Sequence, residues 1–182
     1  MCGIAGVFNL NGEPVSPNIL KKMTDAIAHR GPDGEGHYTD GFVGLGHRRL
    51  AIIDLSPAGH QPMISANKQI ILSYNGEVYN FKIIRKELQK IGYTFISSSD
   101  SEVVMYSFVE LGEKCLQMFN GMYAFAIWDS KINQLFLARD RFGKKPLYYH
   151  FDKNKSFSFA SELSALIADD TISRDISYEA LN

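Results

Sequence analysis

The run Tyr123–Trp128, with the sequence YAFAIW, is apolar at every position and therefore on both faces of an extended strand. Side chains alternate between the two faces of a strand, so a strand of this kind must be covered on both sides. A chain of 182 residues is long enough for one domain with a substantial core. We therefore expect a sheet with a packed layer on each face.

The order of the apolar segments indicates the class of fold. A strand is predicted at Gly3–Asn9, further strand-like runs follow, two helices cover most of Phe81–Leu111, and the last third contains strands joined by hairpins. This segregation of strands and helices predicts an α+β fold with antiparallel sheets rather than alternating βαβ units. Arg49–Ile53 is also strand-like, and Ser99 with Glu102 matches a capping box.

The composition is that of an ordinary globular protein and bears on several functions. The net charge is −1 without a basic stripe, so no nucleic-acid partner is expected. No apolar stretch reaches the roughly 20 residues of a membrane span and no signal peptide is recognisable, so we expect a cytoplasmic chain without a membrane partner. Cys2 and Cys115 do not indicate a disulfide scaffold, and no ligand spacing predicts a metal.

Cys2 follows the initiator Met1 and opens the apolar run CGIAGVF. Removal of Met1 would leave a residue with both a thiol and a free α-amine. An α-amine has a pKa of about 8, so a fraction of the molecules carries it unprotonated at neutral pH. A terminal amine can activate the nucleophile of its own residue, with a water relaying the proton. Cys2 is thus a candidate nucleophile; the alternative is a small apolar residue at the start of a buried strand.

The segment Asn75-Gly76-Glu77 follows a strand-like run and allows two interpretations. Asn-Gly is the dipeptide most typical of a two-residue hairpin turn, which is the purely structural interpretation. In the functional one, the Asn75 side-chain amide and the Gly76 backbone N–H donate to an oxyanion. The residues alone leave both interpretations open.

Charged residues near two other elements allow similar alternatives. Arg48 and Arg49 either form a solvated strand edge or supply a planar guanidinium that clamps a carboxylate. Asp100, at a predicted helix start, either stabilises the helix dipole or binds an ammonium group. The segment Gly143–Lys145 lacks the earlier Gly and the Ser or Thr of a phosphate-binding P-loop.

Taken together, these clusters resemble the class II glutamine amidotransferase domain, and most closely the N-terminal glutaminase domain of glutamine-hydrolysing asparagine synthetases. The resemblance covers nearly the whole chain, and the joint order of the motifs is more specific than any one of them. The matching segments are Met1–Gly6, His29–Asp33, His47–Asp54, Tyr74–Asn80, Ser99–Glu102, Gly121–Ala126, Arg139–Gly143, Lys145–Tyr149 and Ala160–Glu162.

The resemblance implies an N-terminal-nucleophile hydrolase fold, which is a four-layer αββα sandwich with two antiparallel sheets. It also implies hydrolysis of L-glutamine to L-glutamate and ammonia through a γ-glutamyl thioester. Cys2 would be the nucleophile and its α-amine the base. Arg30 matches the family's loop as well, but the resemblance leaves it without a chemical role.

The remaining site residues are also carried over by matching position. Asn75 and Gly76 would form the oxyanion hole, and Arg49 would hold the α-carboxylate of glutamine. The α-ammonium group would be bound by Glu77 and Asp100, so that the reacting amide is delivered in a fixed orientation. The backbone of four further residues would line the same site: Leu50, Ala51, Ile52 and Ile53.

The resemblance also predicts domains and partners. Residues 1–167 would form the glutaminase domain, and residues 168–182 the start of a linker, with a helix beginning at 179–182. No cofactor is expected here; ATP, Mg²⁺ and aspartate would bind a covalently linked synthetase domain, whose Ser-Gly-Gly loop this chain lacks. Homodimer formation is left open, and an exposed apolar patch in the C-terminal third is the expected docking face.

Three other functions remain compatible with parts of this pattern. An amidotransferase of the same branch that uses a sugar or a polysaccharide precursor as acceptor would share this glutaminase domain. A non-catalytic interaction module of the same fold is disfavoured because every expected site residue is present. An N-terminal cysteine hydrolase for other amides is disfavoured because Arg49, Glu77 and Asp100 suit a free amino acid.

Overall fold

The computed structural model describes residues 1–174, so the helix expected at 179–182 and the end of the expected linker lie outside the described residues. The described α-helices are α1 (Pro17–Asp25), α2 (Phe81–Lys90), α3 (Asp100–Leu111) and α4 (Leu163–Ile167). The described β-strands are β1 (Gly3–Asn9), β2 (Gly34–Asp40), β3 (Val43–Arg49), β4 (Met63–Ile64), β5 (Ile70–Val78), β6 (Gly121–Asp129), β7 (Gln134–Arg139), β8 (Tyr148–Asp152) and β9 (Ser156–Ala160).

Two antiparallel sheets form the centre of the fold. The first sheet has the strand order β2-β3-β1-β9-β8, and the second has the order β4-β5-β6-β7. All pairings between neighbouring strands of these sheets are antiparallel. The predicted α+β class with antiparallel sheets is therefore confirmed. The strand that follows Cys2, β1, is the central strand of the first sheet.

The strand predicted to be covered on both sides is β6, and the structure confirms this burial. Phe125 and Ile127 pack into a cluster with side chains of α2 and α3. Ala124 and Trp128, on the opposite face of the strand, pack into a second cluster that fills the space between the two sheets. The alternation of strand side chains thus gives one strand a place in two cores.

The helices complete a four-layer αββα sandwich. α1 and α4 cover the outer face of the first sheet, where Met23 and Leu166 pack with Ala5 and Val7 of β1. α2 and α3 cover the outer face of the second sheet. The apolar cluster between the sheets contains Ile4 of β1 and Ile71 of β5, so the two central strands are held against each other.

The strand expected at Arg49–Ile53 is wrong beyond its first residue, because β3 ends at Arg49. The side chains of Ile52 and Ile53 are exposed, and the Ala51 backbone N–H donates to Asp33 Oδ2 at 2.9 Å. Apolar composition favours a strand only where a neighbouring strand is available for pairing. The chain after Arg49 instead forms a loop that is anchored by side chains.

The segment Asn75-Gly76 is not a turn, because β5 continues through it to Val78. Asn75 pairs with Ala124 and Gly76 pairs with Tyr123 of β6. A Cβ atom at Gly76 would lie 2.6 Å from the carbonyl oxygen of Met122. Glycine is therefore required here by the close approach of two strands rather than by a hairpin turn.

Ser99 is the N-cap of α3, as predicted, but neither of the two bonds of the predicted capping box forms. Ser99 Oγ accepts a hydrogen bond from the Ser101 backbone N–H at 3.0 Å. The Glu102 carboxylate does not return to Ser99 as a capping box requires. It accepts instead from the backbone N–H groups of Ile96, at 3.0 Å, and Ser97, at 2.8 Å. Glu102 thereby fixes the loop that precedes the helix.

The described chain stays packed beyond α4. Asp169 and Ile172 are buried, and Ile172 belongs to the cluster beneath α1. The packed region thus extends into the segment 168–182, while the domain boundary expected after residue 167 stays a prediction. Within residues 1–174, no helix combines the length and the apolar character that crossing a membrane requires.

Phe125 and Phe142 form a matched pair for testing this packing, since Phe125 is fully buried and Phe142 is 87% exposed. We expect Phe125→Ala to lower the free energy of unfolding by about 3–5 kcal/mol, because it removes buried apolar surface and leaves a cavity. Phe142→Ala should change it by less than about 0.5 kcal/mol. Urea unfolding followed by Trp128 fluorescence measures both values, and equal losses would contradict the described core.

Candidate active site

A cavity of about 300 Å³ lies where the start of β1, the loop after β3, the second half of β5 and the start of α3 meet. Its lining contains all of the site residues that the sequence predicts, although these are spread from position 2 to position 100. They are Cys2, Arg49, Leu50, Ala51, Ile52, Ile53, Asn75, Gly76, Glu77 and Asp100. The fold thus brings the predicted residues together; the role of each stays a prediction.

Cys2 is half-buried directly before β1, and its thiol faces the loop after β3. The Leu50 backbone N–H donates to Cys2 Sγ at 3.4 Å, and the thiol in turn lies 3.6 Å from the Leu50 carbonyl oxygen. Burial raises the pKa of the Cys2 thiol, against the opposing effects of the Leu50 backbone, the N-terminal ammonium, Lys145 and Arg49. The positive groups around the cavity therefore partly offset the cost of ionising this thiol.

Arg30, which the sequence left without a role, binds the backbone of Cys2. Its Nε donates to the Cys2 carbonyl oxygen at 2.9 Å, and its Nη1 donates to Glu162 Oε1 at 2.7 Å. Ser161 adds a second anchor, because its Oγ accepts from the Ile4 backbone N–H at 3.0 Å. The first residues of β1 are thus held by side chains from two other segments, which fixes where the Cys2 thiol lies.

Cys115 is far less suited to nucleophilic chemistry than Cys2. It is fully buried and does not line the cavity. Burial raises the pKa of the Cys115 thiol to about 12. A thiol in such an environment is inert at neutral pH, so the structure distinguishes the two cysteines.

Asn75 presents a buried donor without a protein acceptor. Its Nδ2 is fully buried and has no hydrogen-bond partner within residues 1–174. Buried polar groups are almost always satisfied, so an unpaired donor in a cavity lining calls for a partner of another kind. An oxygen that gains negative charge beside Cys2 would be such a partner.

Asp100 lines the cavity at the start of α3 and is held there by β5, the strand that carries Asn75. Its Oδ2 accepts from the Tyr74 hydroxyl at 2.6 Å and from the Val78 backbone N–H at 2.9 Å. Burial raises the pKa of Asp100, while these two hydrogen bonds act in the opposite direction. Glu77 lies on the same wall and is exposed. Two carboxylates on one wall favour a ligand with a positive group.

Arg49 closes the loop that forms a further wall. Its Nη1 donates to the Ser56 carbonyl oxygen at 3.0 Å, and its Nη2 donates to the Asp54 carbonyl oxygen. The Ser56 hydroxyl and then backbone N–H groups of Ser98 and Ser56 lower the pKa of Asp54 to about 2. The guanidinium still has N–H groups beyond these two bonds, so it can shape the loop and face a carboxylate in the cavity.

His47 supports the site from behind and is electrically neutral. It is completely buried, and burial lowers its pKa to about 3. Its Nε2 lies 3.0 Å from the Tyr74 carbonyl oxygen, so Nε2 must carry the proton and donate to it. His47 therefore links the end of β3 to β5 directly before Asn75.

Lys145 and Gln61 also line the cavity, although the sequence assigned neither of them to the site; Lys145 stood in a matching segment without a role, and Gln61 stood in none. Gln61 Oε1 accepts from the Tyr74 backbone N–H at 2.7 Å, and Lys145 lines the cavity near Cys2. The position of Lys145 depends on a turn around Asp140, which no local pattern reveals. Within residues 1–174, no three His, Cys, Asp or Glu side chains are grouped as ligands of a metal.

The family model described as "Glutamine amidotransferase domain" matches residues 1–182. Asparagine synthetase [glutamine-hydrolyzing] 3 of Bacillus subtilis is 42% identical over 171 residues, with 92% of this chain and 28% of the relative covered. The putative asparagine synthetase [glutamine-hydrolyzing] 2 of Methanocaldococcus jannaschii is 41% identical over 186 residues, with 92% of this chain and 35% of the relative covered. This chain therefore belongs to the glutamine amidotransferase domain family.

A solved structure shows the same fold at lower sequence similarity. Glutamine phosphoribosylpyrophosphate amidotransferase of Bacillus subtilis superimposes with a TM-score of 0.78 at 23% identity, over 93% of this chain and 44% of that one. The predicted family and fold are confirmed by these comparisons. The chain spans about a third of the length of the curated relatives described above.

Asp140 offers a test of the turn that places Lys145. Its carboxylate accepts from four backbone N–H groups at 3.0–3.3 Å, those of Tyr123, Phe142, Lys144 and Lys145. Burial alone would raise the pKa of Asp140, but these hydrogen bonds hold it below its ordinary value. We expect Asp140→Asn to lower the free energy of unfolding at pH 7 by about 1–3 kcal/mol.

The pH dependence of this loss follows from the lowered pKa of Asp140. The stabilisation by the carboxylate is fully present above the pKa that Asp140 has in the unfolded chain, which is about 3.9. It is lost as the pH falls through the lower pKa that Asp140 has in the folded chain. The difference between wild type and Asp140→Asn should therefore shrink below about pH 4. Urea unfolding over a pH series measures it, and a difference that grows on acidification would contradict the described contacts.

Proposed function

We propose that this chain hydrolyses L-glutamine to L-glutamate and ammonia through a γ-glutamyl thioester on Cys2. Membership of the glutamine amidotransferase domain family supports the reaction class. The cavity supports the substrate, because it combines a thiol, an arginine and two carboxylates within about 300 Å³. Glutamine is a zwitterion with a neutral amide at its far end, and these groups match its three parts.

The charged walls of the cavity would fix the orientation of glutamine. Arg49 binds the α-carboxylate with the N–H groups that its loop contacts leave over. Asp100 and Glu77 bind the α-ammonium, and the hydrogen bond from the Tyr74 hydroxyl holds the Asp100 carboxylate in place. With both charged ends bound, the side-chain amide points towards Cys2, so that the attack becomes effectively intramolecular.

The proposed reaction begins when Met1 is removed and Cys2 becomes the N-terminal residue. The neutral α-amine, through a water, takes the thiol proton as Sγ attacks the amide carbon, and the carbonyl oxygen becomes an oxyanion. The C–N bond then breaks, the α-ammonium of Cys2 returns its proton through the water to the leaving nitrogen, and ammonia departs. Water attacks the thioester with the amine again as base, which releases glutamate and restores the thiol.

The observation that carries this proposal is that Nδ2 of Asn75 has no hydrogen-bond partner among the described residues, 1–174. It is a buried donor in the lining of the cavity that also contains the Cys2 thiol. The amide of Asn75 would bind the oxyanion together with the backbone N–H of Gly76. Donors that are already in place before the charge develops stabilise the transition state without reorganisation.

We further propose that the ammonia serves a covalently linked synthetase domain that uses aspartate as acceptor. The relatives at 42% and 41% identity are named asparagine synthetases, and this chain matches 28% and 35% of their lengths. ATP and Mg²⁺ would bind that other domain. Exposed apolar side chains on β8 and α4, in the C-terminal third, would form part of the docking face; they are Tyr148, Tyr149, Phe151, Leu163 and Ile167.

Asn75→Ala tests the oxyanion role separately from binding. We expect kcat for glutamine hydrolysis to fall by about 10²–10³, because one oxyanion donor is lost. KM should change little, since Asn75 does not bind the charged ends of the substrate. Release of glutamate at varied glutamine concentration measures both constants.

Asn18→Ala is the matched control, because Asn18 is exposed on α1 and should leave both constants unchanged. A strong rise in KM with kcat intact for Asn75→Ala would contradict the oxyanion role. Thermal unfolding of both variants separates a loss of turnover from a loss of the fold.

A further inference from the structure

Lys145 is a buried lysine in the cavity to which the reaction above gives no task. Its side chain lines the same cavity as Cys2, and the residue is only 5% exposed. Its backbone is held by Asp140, whose Oδ2 accepts from the Lys145 N–H at 3.0 Å. A lysine that is buried and firmly placed next to a nucleophile costs solvation energy, so its position calls for an explanation.

The ammonium group of Lys145 lacks the partners that buried cations usually have. Its Nζ donates to the thioether Sδ of Met1 at 3.2 Å, and within residues 1–174 it forms no ion pair with a carboxylate. A thioether is a weak acceptor. Arg30 and Arg49 differ in this respect, because carbonyl or carboxylate oxygens accept from both guanidinium groups.

The partner of Lys145 is also the residue that must leave before Cys2 can react. Once Met1 is cleaved off, the contact to Sδ is gone, and Cys2, which lines the same cavity as Lys145, becomes the new amino terminus. We propose that Lys145 is a positioning residue for the N-terminal nucleophile: its charge keeps the α-amine of Cys2 neutral, so that the amine can take the thiol proton, and favours the negative charge that the thiol then develops. This proposal rests on the proposed glutaminase function and assigns to the Lys145 ammonium the task of adjusting the protonation of the Cys2 amine and thiol.

The sign of the effect follows from elementary electrostatics. A nearby positive charge disfavours a second positive charge on the α-amine and favours a negative charge on the thiol. Both effects lower a pKa of the coupled amine–thiol pair, which titrates as one unit. Burial raises the pKa of the Cys2 thiol, and the charge of Lys145 is one of the effects that oppose this rise. Burial also lowers the pKa of Lys145 itself.

Other charged groups face the same residue and set the background for this effect. Those that line the cavity or act on Cys2 or Lys145 are the N-terminal ammonium, Arg30, Arg49, Asp54, Glu77, Asp100, Asp140 and Lys144. The Asp140 carboxylate is occupied by backbone N–H groups, and Oδ2 of Asp100 by Tyr74 and Val78. Lys145 is therefore a buried cation that pairs with none of the carboxylates within residues 1–174.

The test compares Lys145→Met, Lys145→Arg and the control Lys86→Met, which alters an exposed lysine on α2. Two measurements are made on each Met1-free chain: the pH profile of kcat/KM for glutamine, and the pH dependence of Cys2 alkylation by iodoacetamide, read by peptide mass spectrometry. For Lys145→Met we expect the acidic limb of both profiles to move up by about one pH unit, in the range that a neighbouring charge produces.

Lys145→Arg should restore both profiles, because it keeps the charge, and Lys86→Met should leave them as in wild type. Unshifted profiles for Lys145→Met would overturn the proposal, even if that variant is less stable on heating. The alkylation profile does not depend on glutamine hydrolysis. If the alkylation profile shifts between wild type and Lys145→Met but the wild type does not hydrolyse glutamine, the proposed function is contradicted while the electrostatic role of Lys145 is supported.

Discussion

The hydrogen bonds that hold the start of β1 are the constraint on which the rest of the site depends. Arg30 donates to the Cys2 carbonyl oxygen, and Ser161 both accepts from and donates to the backbone of Ile4. An N-terminal residue normally frays, because nothing precedes it that could be tied down. These contacts give the thiol of Cys2 one position relative to Asn75, which a reaction that relies on pre-placed donors requires.

The apolar core between the two sheets transmits this placement across the molecule. Cys2 directly precedes β1 of the first sheet and Asn75 lies in β5 of the second, so their separation depends on the packing of one sheet on the other and on the His47–Tyr74 hydrogen bond between them. Ile4 and Ile71, two residues from Cys2 and four from Asn75, lie in the same buried cluster. One face of β6 contributes to this cluster, and the opposite face packs against α2 and α3. Burial of apolar surface thus serves catalysis by fixing the geometry of polar groups.

Much of the fold and most of the site could be predicted from the sequence, and the exceptions have physical causes. The apolar run Tyr123–Trp128 required a strand buried on both faces, because burial depends on local alternation that the sequence displays. The strand expected to continue from Arg49 to Ile53 was wrong beyond its first residue, and the hairpin turn left open at Asn75-Gly76 is not formed, because strand pairing depends on partners distant in sequence. The roles of Arg30 and Lys145 were not foreseen, since each follows from a contact with the amino terminus that the folded chain creates.

Mass spectrometry of the purified chain, after incubation with a glutamine analogue that carries an electrophilic diazoketone in place of the amide, tests the central claim most directly. The account predicts a chain without Met1 that carries one label on the peptide containing Cys2, and excess glutamine should protect that peptide. The account would be contradicted by a chain that retains Met1, or by label found only on the peptide containing Cys115.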